Sequence, residues 1–200
     1  MSPRTKQQSE SLREVSRTRI MEAALGLFAG KGFAATSISD IAGVAGISKG
    51  LMYNYFAGKD ELLEHVLQML LGRVSEVFAP ALAVTDPCKR LEALIRTSFE
   101  MLKSDPAIWK MFITLSLQLD KQSNAYAIVS SYWSNMFSNA IAIFTEMGVK
   151  NPQETAFRYG AVMDGMAVQL LMFGNERFLH FDETLEMFIK EFCSTSTKEK

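Results

Sequence analysis

Apolar residues recur along this chain at steps of three and four, the spacing of one helix face, and no segment follows the alternating step of a strand convincingly. Ile20, Ala23, Ala24, Leu27 and Phe28 form the first such face, and Gly30 with Gly32 predicts its stop. Ile38, Ile41, Ala42 and Ala45 repeat the pattern over a short second helix behind Ser37, whose hydroxyl suits an N-cap. Gly46 interrupts it, and Ser48 is placed to cap a third helix running to about Tyr55. Small Ala42 and Ala45 let the two helices approach, Gly46 takes the angles of a sharp reversal, and Ile47 plugs the corner, so a helix-turn-helix is predicted over about 37–56.

Leu62, Leu63, Val66, Leu67, Leu70 and Val74 predict a fourth helix reaching towards Pro80. Asp86-Pro87, Asp105-Pro106 and Asn151-Pro152 each put a capping side chain before a proline at the first helical position, while Gly148 and Gly174 are expected C-terminal stops. These signals give further helices over 87–103, 106–119, 123–147, 152–173 and 182–193, hence an all-α fold of about nine helices. The polar opening has no apolar stripe until about Val15 and predicts a flexible basic arm over 1–16. A DNA-binding domain is expected over 17–62, a helical body for ligand binding and dimerisation over 63–193, and a frayed tail over 194–200; no internal repeat is visible.

A chain of 200 residues, 48% of them hydrophobic, can bury a substantial core. Net charge is only −1, but residues 1–60 hold eight Lys or Arg against five Asp or Glu, so the basic surplus lies at the N-terminus. Cys88 and Cys193 are far apart in sequence without CxxC spacing, which predicts neither a disulfide framework nor a zinc site. Neither a signal peptide nor a long uncharged apolar run is present, and a reduced, cytoplasmic location without membrane contact is expected.

The run from Thr36 to Leu63, with Ala24, Phe28, Gly32 and Phe33 before it and Ile41-Ala42, Ala45-Gly46, Ser48, Gly50, Tyr53, Phe56 and Lys59 at fixed spacing within it, resembles the head of the TetR family. The resemblance implies a repressor, less often an activator, that binds a palindromic operator as a homodimer and lets go when a small molecule enters the body. It implies that the helix begun by Ser48 enters the major groove and that Lys49 adds charge there. Gly50 would permit close backbone approach, and Tyr53 would donate its hydroxyl to a phosphate. Lys59 matches the family's phosphate-contacting lysine, and Thr36 and Ser37 are placed to hydrogen-bond the neighbouring strand's backbone. The chain departs from the commonest pattern at Tyr55, where histidine is usual, and at Leu51, where a small or hydroxyl-bearing residue is common; Leu51 suits a thymine methyl, and Asn54 suits either an adenine edge or a phosphate. Met52 and Phe56 are expected in the core. Arg4, Lys6, Arg13, Arg17 and Arg19 suit either phosphate affinity or solubility.

In the body, Trp109, Phe112, Tyr126, Trp133, Met136 and Met166 are the candidate lining of a largely apolar effector site, with ordinary core packing as the alternative for each. Phe157, Ala161, Asp164, Val168, Leu171, Phe188 and Phe192 are candidates for a two-fold four-helix interface, since the last two helices present more apolar face than one small bundle absorbs; Asp164-Gly165 also resembles a feature near the family's dimer interface. Asp164, if buried, needs a partner across the dimer or on a ligand. His65 on the fourth helix is expected to be exposed or structural. An enzyme is disfavoured, because no phosphate loop, HExxH or nucleophile elbow occurs and His65 and His180 are the only histidines; no metal or cofactor is expected. The competing reading is a helical small-molecule-binding protein whose head no longer binds DNA.

Overall fold

The computed structural model describes residues 6–174 and 181–193; Arg4, His180 and the expected tail lie outside them. Among the described residues there are nine helices and no strand: α1 (Lys6–Lys31), α2 (Ile38–Ala45), α3 (Lys49–Met52), α4 (Lys59–Leu82), α5 (Pro87–Ser104), α6 (Pro106–Gln118), α7 (Asn124–Glu146), α8 (Pro152–Phe173) and α9 (Phe181–Cys193). They form two compact units, the first from the described parts of 1–71 and 110–129, the second from those of 72–109 and 130–200.

In the first unit Ile20, Ala24 and Phe28 of α1, Ile41, Ala42 and Ala45 of α2, and Leu62, Leu63, Val66 and Leu67 of α4 are almost wholly buried, each large aliphatic or aromatic side chain contributing about 1.5–3 kcal/mol. Met52 and Phe56 are buried too, as expected of the scaffold under α3. Residues expected to be a flexible arm are instead helical from Lys6 onward. Their composition, with two Gln and two Glu and no Gly or Pro, tolerates helix despite three serines, and the stripe is missing because most of this stretch faces solvent. Gly32, at φ 88°, ends α1.

Both predicted caps of the helix-turn-helix are made. Ser37 Oγ accepts from the Asp40 amide at 3.1 Å and the Asp40 carboxylate accepts from the Ser37 amide at 2.8 Å, a complete capping box. At the far end Gly46 is left-handed (φ 65°, ψ 36°), and the Ile47 amide reaches back to the Ala42 carbonyl at 3.0 Å. Regular α3 is only four residues long; Tyr53 to Tyr55 continue as a turn, with amides of Asn54 and Tyr55 bonded to carbonyls three residues back.

In the second unit the proline-marked starts fall where predicted. Asp86 accepts from the Lys89 amide at 2.8 Å ahead of Pro87, whereas Asn151 makes no side-chain cap, so α8 starts on the proline alone. The core joins Leu91, Ile95 and Phe99 of α5, Ile143 and Phe144 of α7, Ala156 and Ala167 of α8, and Leu185, Phe188, Ile189 and Phe192 of α9. Phe188 and Phe192, expected at a dimer interface, are therefore interior: their rings pack 5.0 Å apart edge to face, and each also meets the Tyr159 ring. Leu171 likewise packs against this core. Cys88 and Cys193, distant in sequence, meet through main-chain contacts, the Cys193 thiol donating to the Cys88 carbonyl at 3.3 Å, and both are free thiols.

Candidate functional site

Two surfaces carry the expected chemistry, one on each unit. On the first, Ser48 Oγ accepts from the Leu51 amide at 3.2 Å and fixes the start of α3. Around that start Ser37, Lys49, Gly50, Leu51, Tyr53 and Asn54 are all exposed, with Leu51 39% and Tyr53 52% accessible, although nothing inside the fold holds an apolar or aromatic side chain there. A Cβ added at Gly50 would meet no atom of the protein, so the fold itself does not require glycine at this point. With four residues of regular helix, α3 offers side chains and first-turn amides rather than a long helix dipole.

Two predicted phosphate contacts are instead turned inward. Thr36 is buried, and its hydroxyl donates to the Gly32 carbonyl at 2.8 Å, closing the end of α1. The Lys59 ammonium donates to the carbonyls of Phe33 and Thr36 at 2.9 and 3.0 Å and lies 4.3 Å from the Phe33 ring centre, so it ties α4 to the α1–α2 turn and keeps one N–H at most for a phosphate. The arginines read as arm or solubility residues also have structural partners. Arg13 donates to the Asn54 carbonyl at 3.1 Å and lies over the half-buried Tyr55 ring, and Arg17 donates to His65 Nε2 at 2.8 Å and lies over Phe56. Because Arg17 can only donate, His65 accepts through Nε2, a structural role. Lys31 and Ser37 hydrogen-bond Asp40 and hold its carboxyl well below the usual carboxylate range.

On the second unit a half-open cavity of about 450 Å³ is bounded by α5, α6, α7 and α8. Of the candidate lining, Trp109, Trp133 and Met136 are in its wall. Phe112 and Tyr126 belong to the other unit, and Met166 packs against the core of the second unit without lining the cavity. Phe157, Ala161 and Asp164, read as interface residues, line it too, whereas Val168 is exposed further along α8. Burial pushes the Asp164 carboxyl up, and burial together with the Asp164 charge pushes the Tyr159 hydroxyl up. A smaller cavity of about 200 Å³ shares Ser98, Met136, Ala140 and Tyr159 with the first; Tyr132 in its wall is raised by burial to about 12.

Residues 20–66, which span the capped α2–turn–α3 arrangement, match the family model described as bacterial regulatory proteins, tetR family. Over these residues the chain is similar to the head of that family. Among curated relatives, the transcriptional repressor KstR2 of Rhodococcus jostii is 40% identical over 90 residues, 43% of each chain, so the match spans less than half of that repressor's length. The transcriptional regulator BetI of Rhizobium meliloti is 26% identical over 157 residues, 78% of this chain and 77% of that one. A TetR-family regulator from Streptomyces coelicolor has the same fold, with TM-score 0.80 at 16% identity over 92% of this chain and 96% of that one. AibR, crystallised with isovaleryl coenzyme A and operator DNA, aligns with TM-score 0.69 at 18% identity over 88% of this chain and 97% of that one. The sequence gives little sign that α1 sets Arg13 against the turn after α3 and Arg17 against His65 of α4; only their four-residue spacing puts the two on one helix face.

Proposed function

We propose that this chain is a sequence-specific DNA-binding transcriptional regulator, a repressor that grips a palindromic operator as a dimer and releases it when a small molecule fills the cavity of the second unit. The observation that carries the reading is the capped α3, with Lys49, Leu51, Tyr53 and Asn54 exposed at a helix-turn-helix of the TetR type. Lys49 supplies sequence-independent phosphate attraction, Tyr53 a phosphate hydrogen bond, and Leu51 and Asn54 the groove contacts that distinguish sequences. Ser37, exposed at the start of α2, adds a phosphate contact at the flank.

The effector half of the proposal rests on a cavity whose volume falls in the roughly 300–1,000 Å³ range of small-molecule sites. The structural neighbour crystallised with both a ligand and operator DNA supports pairing the two sites in one chain. Its ligand is not carried over, because no Lys, Arg or His lines this cavity to meet the phosphates of coenzyme A. Self-association is supported by exposed apolar side chains of α8 outside the cavity wall, Val162, Val168 and Met172, the last 68% exposed. Release follows if the ligand binds the DNA-free form more tightly than the DNA-bound form.

The test is selection of bound fragments from random DNA by the purified protein, with its mass in solution measured in parallel. Enrichment of one palindrome by a dimer is the expected result. A protein that enriches no sequence is a helical ligand-binding protein instead, and the proposal is wrong.

A further inference from the structure

The larger cavity carries an unusual pairing of wall and charge. Phe99, Trp109, Trp133, Phe137, Phe157 and Tyr159 put six aromatic rings in a wall that is otherwise mostly Ala, Leu and Met, and among the described residues Asp164 is its only charged side chain. Asp164 makes no hydrogen bond or ion pair among the described residues, and its carboxyl is pushed up by burial even though the open mouth leaves it in touch with solvent. A carboxylate against an apolar wall is costly without a counter-charge. No Lys, Arg or His among the described residues lines this cavity or the smaller one beside it, whose polar lining of Ser75, Ser98, Tyr132, Asn135, Asn139 and Tyr159 is uncharged. Nothing in either space therefore offers an anion a counter-charge, while ring faces and a lone carboxylate both attract a cation. Trp109 adds a second polar feature, since its Nε1–H is buried without a hydrogen-bond partner.

We propose that the cavity selects an apolar monocation, such as an alkyl quaternary ammonium, with the positive centre held between Asp164 and the aromatic wall. This deepens the reading of the cavity as an effector site and rests on it. The Asp164 carboxylate, without an ion-pair partner in the free chain, gains one on binding, and the rest of the ligand replaces water along the rings.

The chain's two tryptophans, Trp109 and Trp133, both line the cavity, so ligand binding is read from intrinsic fluorescence without DNA. The full chain is titrated below micellar concentrations with decyltrimethylammonium, decanol and decanoate, which share a tail and differ in charge. The expected order is cation, then alcohol, then carboxylate, with the cation roughly tenfold tighter than the alcohol. In Asp164→Asn the cation should fall to the alcohol's affinity while the alcohol itself is unchanged, which also certifies that the variant is folded; Asp164→Glu should keep the preference for the cation. Decanoate binding as tightly as the cation, or Asp164→Asn leaving the cation's affinity within twofold, overturns the inference while leaving the cavity a ligand site. If no probe binds, the effector reading falls with it. Dimer mass lost in Asp164→Asn with probe affinities unmoved assigns the carboxylate to a subunit contact instead.

Discussion

At the scale of single residues, the head separates side chains that hold the fold from those that stand exposed, although sequence similarity treats them alike. Lys59 and Lys49 are both lysines of the TetR-like block, yet Lys59 closes two carbonyls of the α1–α2 turn and Lys49 stands exposed. Lys59→Ala is expected to lower the denaturant midpoint by the equivalent of about 1–3 kcal/mol, since two carbonyls lose their donor. Lys49→Ala should leave that midpoint unchanged. Equal midpoints for the two variants would show that the Lys59 contacts contribute nothing. Asp164 has the opposite signature in the second unit. Its folded-state pKa is raised, so the folded chain binds more protons than the unfolded one, and stability falls as pH rises through the unfolded carboxylate value near ~3.9 and beyond. Asp164→Asn should therefore raise the thermal midpoint at pH 7 and lose that advantage by about pH 4, below which the wild-type carboxyl is protonated in both states. A variant less stable than wild type at pH 7 would mean that the carboxylate has a stabilising partner. Burial and contact with Cys88 push the Cys193 thiol well up, and it should resist alkylation at pH 8 until the chain is unfolded, as peptide mass mapping would reveal.

At the scale of elements, what was legible in the sequence was whatever is decided within a few residues. Pro87, Pro106 and Pro152 fix helix starts by their own ring geometry, and Ser37, Ser48 and Gly46 punctuate the helix-turn-helix through bonds to neighbours three to five residues away. The α2 box is strongly held: Asp40's folded pKa is depressed, so its stabilisation is present above the unfolded value near ~3.9 and is lost only as pH falls through the lower folded value. Ser37→Ala should cost about 1 kcal/mol in a denaturant melt. Gly46→Ala should cost about 1 kcal/mol because the position is left-handed, the Arg19 guanidinium 3.7 Å from the added methyl being an ordinary contact. What was not legible depends on partners distant in sequence. Residues 6–16 carry no apolar stripe because their helix is largely exposed, and Thr36 points inward only because the end of α1 offers it a carbonyl. Phe188 and Phe192 read as interface residues, and they lie in the core instead because Tyr159 and Phe144 meet them there.

At the scale of the whole molecule, the helix-turn-helix and the apolar character of the second unit were legible in the sequence, but not which residues bound its cavity. A wall gathered from α5, α6, α7 and α8 has no local motif, and Phe157, Ala161 and Asp164 join it only because α8 turns that side towards α7. The proposed function stands or falls on whether the exposed face of α3 grips DNA. The most direct measurement is titration of the selected operator fragment over a series of salt concentrations with wild-type protein, Lys49→Ala and Tyr53→Ala. Wild-type affinity should fall linearly with salt on logarithmic axes, and Lys49→Ala should flatten the slope by about 0.9 for each phosphate contact it removes. Tyr53→Ala should weaken binding and leave the slope unchanged, because a neutral hydroxyl displaces no counterion. Affinities and slopes identical to wild type in both variants would contradict the claim that α3 is the reading element.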